Sequence, residues 1–439
     1  MSYKYYRTTI LRLVAGMVIA LCEAATMSLQ AQEQQVITIK TKFNVGDSVY
    51  MKVVSKDAVA VQATGLSSAV LEQDWKKYAL TAQTVTVTGP VKYLATFKNG
   101  VTDITFEHAD YLDRIDCEEN ELTQLDFSNA PQLTMIFCHK NKLTTLDISK
   151  CEKLTWVNCS ENKLSKIDLA NNSALKQFVC SDNPLSSFNT SGATALKSLE
   201  CTQCGLTTLD LSANKNLQGV SCGYNQLSEL TMTGCTKLNT IYCERNKLQT
   251  LDLSTLTALQ NLKCYLNEIT ALDFSGCPSA HKLYLENNKI SKEKMLALAK
   301  SLPTANASAD KPAQIAVYDE SYPLEENICN KDAVQVAQGK NWSVLYYTKD
   351  RKYAPYSGAD VQSIDQPELS SKPIVYPTVT SGTLYLTDPS ISSIACYTMA
   401  GELLFTISNP GSTLDVSTLP EGAYVLQAGE LVTRIEVSR

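Results

Sequence analysis

One feature limits what this chain can fold into more than any other: the sequence from Val91 to Ser279 returns to the same pattern every 21 residues, nine times over. The clearest unit carries Leu133, Ile136, Cys138, Asn141, Leu143, Leu146, Asp147 and Ile148. The next carries Leu154, Val157, Cys159, Asn162, Leu164, Ile167, Asp168 and Leu169. Residue nine of the unit is Asn99, Asn120, Asn141, Asn162, Asn183, Cys204, Asn225, Asn246 and Asn267, and Asn288 opens a tenth, atypical unit. A unit this short cannot enclose its own apolar residues, so successive units must stack as coils and share one continuous core.

The spacing matches L-x-x-L-x-L-x-x-N/C-x-L, the leucine-rich repeat, with cysteine at the third apolar position. The predicted fold class is therefore a leucine-rich-repeat solenoid whose parallel strands line a concave face. Positions one, four, six, eleven, fourteen and sixteen are predicted to point inward, and strand positions three, five and seven outward. Because 21 residues lies at the short end of the repeat's usual range, the return segments should be extended or short 3₁₀ structure rather than full helices. The asparagine column has a physical reason. A buried amide can bond the loop backbone groups that each coil turns away from water, and an unpaired group of that kind costs about 1–3 kcal/mol.

The repeat also explains most of the 15 cysteines. Cys117, Cys138, Cys159, Cys180, Cys201, Cys222, Cys243 and Cys264 are one unit apart and form a predicted column of inward thiols. Cys151, Cys235 and Cys277 share position nineteen, expected near the convex-side turn. Neighbouring strands lie about 4.8 Å apart, wider than the Cβ separation of roughly 3.5–4.5 Å that a disulfide prefers. The expectation is a reduced, buried ladder. Cys201-Thr-Gln-Cys204 could be read as a redox or zinc motif. Its two cysteines fall on positions six and nine of one unit, and no second ligand pair stands at finger spacing, so it reads as repeat structure.

The flanks divide by composition. Lys4, Arg7 and Arg12 precede an apolar run from Leu13 to Cys22, which reads as a secretory signal over residues 1–31, with cleavage after Ala31 or after Ala24 or Ala25. A lipoprotein route through Cys22 is disfavoured by the bulky Leu21 before it. Residues 32–90 read as an N-terminal β cap, with strand-like runs at 36–42, 48–54, 58–63 and 83–88. The repeats follow over 91–290, then αβ cap repeats over 291–352 with a helix expected at 291–302. Residues 353–372 read as a linker and 373–439 as a separate small β-sandwich. No later stretch approaches a membrane-spanning length of apolar residues, so no transmembrane segment is expected. A net charge of −6 argues against a nucleic-acid partner.

Candidate binding residues come from the outward strand positions. Met135, Phe137, His139 and Trp156 fall together across two adjacent units, and Tyr242, Tyr265 and Tyr284 form a second group with Glu244, Lys263 and Glu286 interleaved. Aromatic side chains bury large area at small entropic cost, which suits a protein or sugar partner; scattered surface aromatics are the plainer reading. An enzyme is not indicated. His108, His139 and His281 belong to different units, and no nucleophile elbow, phosphate loop or metal motif is present, so neither a cofactor nor a metal is expected. The carboxylates at position fifteen (Asp126, Asp147, Asp168, Asp210, Asp252, Asp273) could bind calcium, but read first as turn residues.

The cysteine ladder on a 21-residue period resembles the internalin-J-like leucine-rich-repeat surface proteins of Bacteroidetes, over residues 36–352. The tail, through Ile394-Ala-Cys-Tyr-Thr-Met-Ala-Gly401 and Leu414-Asp-Val-Ser-Thr-Leu-Pro-Glu-Gly-Ala-Tyr-Val-Leu426, resembles the carboxy-terminal sorting domain of type IX secretion cargo. It departs from that pattern in carrying Tyr376-Pro377-Thr378 where the family has Asn-Pro. The resemblance implies a cell-surface or secreted protein of the Gram-negative outer membrane, delivered by the type IX machinery. The role it implies is adhesion to host cells or in a biofilm, with a part in virulence. The rival expectation is a glycan-binding module that captures oligosaccharide through the aromatic groups.

Overall fold

The computed structural model describes residues 34–306, 312–322, 325–358, 375–376, 379–380, 382–388, 390–398, 402–429 and 431–438. The expected signal segment and most of the expected linker lie outside them. Two compact units divide the chain, residues 1–179 and 180–439.

The first unit opens with two antiparallel layers. One sheet has the order Val70–Leu71, Val61–Thr64, Thr84–Thr88, Val36–Thr41, Val101–Glu107. Strict alternation places Ile37, Ile39, Val85, Val87, Ile104 and Phe106 on its buried face. In the other layer Ser48–Ser55 pairs with Lys76–Ala79 on one side and with Val91–Thr96 on the other. Val91–Thr96 then begins a parallel ladder through Arg114–Asp116, Met135–Phe137, Trp156–Asn158 and Gln177–Val179. The first coil is thus divided: its strand seeds the parallel ladder, while its return half joins the antiparallel sheet and shields the open end of the core.

The second unit holds a parallel ladder of Ser198–Glu200, Gly219–Ser221, Thr240–Tyr242, Asn261–Lys263 and Lys282–Tyr284. Two larger coils follow, with strands Ala313–Asp319 and Trp342–Tyr347. Their helices, Lys292–Ser301 and Lys331–Gln338, are capped by the side chains of Ser291 and Asn330 and pack on each other. Where a linker was expected to begin, Tyr353–Pro355 is instead an antiparallel strand on Trp342–Tyr347. The tail has one sheet of Val375–Tyr376, Thr383–Leu386 and Thr413–Asp415. A second sheet contains Val379–Thr380, Leu431–Val437, Gly422–Ala428, Ser393–Thr398 and Leu403–Ser408. Leu384, Ile394, Cys396, Leu414, Leu426 and Ile435 fill its core.

Within the coils the inward assignment holds at positions one, four, six, eleven and sixteen, whose residues are buried throughout. Position fourteen lies nearer the rim, with Leu146 and Phe188 only half-buried. Position nineteen lies at the turn, and its side chain belongs to the core: Cys151, Cys235 and Cys277 are fully buried. The reason is a tight turn in which the N–H of position nineteen donates to the carbonyl of position sixteen (Cys151 to Ile148, 3.0 Å; Cys277 to Phe274, 2.9 Å), rolling the side chain inward. Their thiols then donate between coils, as Cys235 does to the Leu211 carbonyl at 3.2 Å. Asn172 and Asn214 occupy the same place and donate to the carbonyls of positions sixteen and nineteen in the preceding coil. The return segments are extended; Thr208–Asp210 pairs in parallel with Glu229–Thr231.

The position-nine amides act as expected. Asn162 Nδ2 donates to the carbonyls of Cys138, Cys159 and Ser160 at 3.0–3.1 Å, and its Oδ1 accepts the N–H of Leu143 at 3.0 Å. The pattern recurs at Asn120, Asn141, Asn225, Asn246 and Asn267. At Cys204 the thiol donates to the carbonyls of Cys180 (3.3 Å) and Thr202 (3.5 Å), and the Leu185 N–H turns to the backbone carbonyl of Cys204. The residue before each amide takes a left-handed backbone, φ 52–58° at Lys98, Glu119, Lys140, Glu161, Asp182, Gln203, Tyr224, Arg245, Leu266 and Asn287. Each such residue bears a cost of about 1 kcal/mol, offset by the amide that follows it. Every cysteine of the ladder is buried and outside any disulfide, and burial pushes the Cys138 thiol up to about 12. Among the described residues no helix is long and apolar enough to cross a membrane.

Candidate functional site

The three-residue strands spend their backbone groups on neighbouring coils, so any recognition here falls to the side chains of positions three, five and seven. Two groups of them stand out, one in each unit.

In the first unit Phe137 and Trp156 meet edge to face, ring centroids 4.9 Å apart, and Trp156 is 39% exposed. Three residues that the sequence reading did not single out complete the group. Arg114 lies over Phe137 at 4.9 Å and over Tyr93 at 4.8 Å. Its guanidinium is clamped to Asp116 through Nε (2.8 Å) and Nη2 (2.6 Å), and Tyr93 donates to the same carboxylate at 2.7 Å. Tyr93, Arg114 and Asp116 all sit at outward positions, so their columns carried the signal. Met135 and His139 are half-buried beside these rings in sequence. His139 Nδ1 and, on the preceding coil, Glu118 Oε2 are buried without a hydrogen-bond partner, and desolvation raises the Glu118 carboxyl above its usual range.

In the second unit Tyr242, Tyr265 and Tyr284 share a cleft of about 310 Å³ with Asn261, Lys263, Lys282 and Tyr353. Lys263 Nζ stands 4.4 Å from the Tyr242 ring centre and 6.0 Å from that of Tyr284. Tyr353 packs on Tyr284 at 5.1 Å and on Tyr347 at 5.1 Å, and its hydroxyl donates to Glu286 Oε1 at 2.6 Å. Burial pushes the Glu286 carboxyl up to about 7 and raises that of Glu244 as well. Each has an Oε2 buried without a partner. Tyr353 could not be placed here from sequence, because it comes from the strand that stands where a linker was expected.

The remaining sequence candidates separate from these groups. His281 is exposed, its Nδ1 3.2 Å from the Ser279 carbonyl. The position-fifteen carboxylates each accept the N–H two residues on, at 2.8–3.0 Å, from Asp126 to Asp273; this is the turn role, spent locally. Among the described residues no group of three or more His, Cys, Asp or Glu side chains is arranged to hold a metal ion.

No protein-family model matches the sequence, and no curated protein matches it. Among solved structures, a leucine-rich-repeat protein of Leptospira interrogans is 19% identical with a TM-score of 0.44, over 55% of this chain. The chain spans 61% of that protein's length. An internalin of Listeria monocytogenes (inlF) is 17% identical with a TM-score of 0.43, over 60% of this chain and 83% of its own. The functional domain of InlJ from Listeria monocytogenes, which includes a cysteine ladder, is 19% identical with a TM-score of 0.27, over 82% of this chain and 93% of its own.

Proposed function

We propose that this chain is an exported, cell-surface recognition scaffold that binds a partner protein through its outward strand positions and acts as an adhesin, toward host cells or within a biofilm. The observation that carries the reading is the pair of aromatic–cation groups on outward positions, one with Trp156 left exposed and one forming an open cleft. Residues of this kind dominate the energetics of protein interfaces. The tail sandwich is read, from its sequence resemblance, as the sorting domain that delivers the chain through type IX secretion.

The test is attachment by a gene-deletion strain complemented with wild type, Phe137→Ala/Trp156→Ala, Tyr242→Ala/Tyr284→Ala, or a chain ending at residue 372. Deletion should weaken attachment, wild type should restore it, and at least one aromatic pair should fail to. The truncated chain should stay off the cell surface. Full attachment after deletion would remove the adhesin reading. Binding of soluble oligosaccharide that depends on the tyrosines, with attachment unchanged, would replace it with glycan capture.

A further inference from the structure

The two aromatic groups differ in the state of their cations. Arg114 in the first is committed to a bidentate pair with Asp116, which also holds the Tyr93 hydroxyl. That group is electrostatically closed, with two opposite charges and a phenol satisfying one another. The cleft of the second unit is open. Lys263 and Lys282 form no ion pair among the described residues. Lys263 instead rests on the Tyr242 and Tyr284 rings, and Lys282 is exposed beside it on the neighbouring strand. Neither nearby carboxyl forms an ion pair with them: Glu286 is buried and takes its hydrogen bond from Tyr353, and Glu244, which feels the charge of Lys263 at longer range, has one oxygen buried and unpartnered.

We infer that the cleft of Tyr242, Asn261, Lys263, Lys282, Tyr284 and Tyr353 receives an acidic segment of the partner protein, a carboxylate seating against the two lysines. The inference rests on the recognition reading above and names the chemistry of what is recognised. Two unpaired ammoniums on adjacent strands supply charge complementarity for an Asp or Glu side chain. A cation held over ring faces keeps its N–H donors for an incoming acceptor while the rings shield it from water. The same arrangement disfavours a sugar. Stacking a pyranose needs a free ring face, and Lys263 takes one face of Tyr242 while Tyr353 packs against Tyr284. With a volume of about 310 Å³ the cleft is at the small end for a ligand site and suits one or two side chains of an extended segment.

The experiment uses the full chain and fluorescence anisotropy with a labelled peptide of alternating glutamate and glycine, its glutamine counterpart, and an oligogalacturonate of matching charge. The glutamate peptide should bind, more weakly as salt is raised, and the glutamine peptide should not. Lys263→Gln/Lys282→Gln should weaken binding about tenfold or more. Lys282→Gln, at an exposed side chain that leaves the fold untouched, should weaken it severalfold by itself. Unchanged binding in these variants, or binding of the oligogalacturonate without the glutamate peptide, overturns the inference. Attachment separates the two readings. A strain that attaches normally with the lysine pair replaced, and fails with Tyr242→Ala/Tyr284→Ala, keeps the recognition scaffold and removes the acidic segment.

Discussion

At the scale of single residues, one amide per coil ties the backbone of each turn to its neighbour. Asn141 gives its Nδ2 to the carbonyls of Cys117 and Cys138 and takes the Leu122 N–H at 3.0 Å. Asn141→Ala orphans the buried Leu122 N–H, while the Cys117 and Cys138 carbonyls keep Asn120 and Asn162 as donors; it should cost about 1–3 kcal/mol, read as a fall in midpoint on chemical denaturation. Position 204 offers the reverse test. The thiol there donates, and the Leu185 N–H is met by the Cys204 backbone carbonyl at 2.9 Å, so Cys204→Asn exchanges that acceptor for a side-chain amide and should stabilise by no more than about 1 kcal/mol. A lower midpoint for Cys204→Asn would mean that the backbone has already adapted to the thiol. This column was legible in the sequence because only one residue type met the need at fixed spacing. The left-handed residue just before it was not, since Lys, Glu, Asp, Gln, Tyr, Arg, Leu and Asn all stand there and glycine never does.

Among elements, the edge strand Tyr353–Pro355 is joined to Lys282–Tyr284 by more than sheet pairing. Tyr353 packs on Tyr284 and donates to Glu286, at the coil position that follows that strand by two residues. Glu286 holds its proton up to about pH 7 when folded, against an ordinary 4.5. The folded form therefore binds more protons than the unfolded chain across that window, and stability falls as pH rises through it. The thermal midpoint should drop between about pH 4.5 and about pH 7, and Glu286→Gln should flatten that slope while Tyr353 keeps its acceptor. An unchanged slope would assign the pH dependence elsewhere, with half-buried Glu325, pushed up to about 8 by desolvation, the next group to replace. Sequence reasoning could not reach this link. Its partners are 67 residues apart, and the strand that brings them together begins in a stretch whose composition reads as a linker. Position nineteen was legible only in part, for a related reason: periodicity placed the cysteines at the turn, but that the turn rolls their side chains inward is set by a local N–H to carbonyl bond that hydropathy does not record.

For the molecule as a whole, a structure of stacked coils transmits perturbation only to neighbours. The Cys138 carbonyl accepts from both Asn141 and Asn162. Asn141→Ala and Asn162→Ala should therefore couple by about 0.5–1 kcal/mol, whereas Asn141→Ala and Asn246→Ala, which share no partner, should add. Equal coupling in both pairs would contradict nearest-neighbour behaviour. The same segmental construction gives the cysteine column a use in the laboratory. One thiol per coil, each fully buried, makes the column a set of graduations along the chain. A thiol-labelling reagent can modify a given cysteine only while its own coil is open, so timed labelling followed by peptide mapping would rank the coils by how readily each comes apart. The chain carries its own record of the order in which it frays.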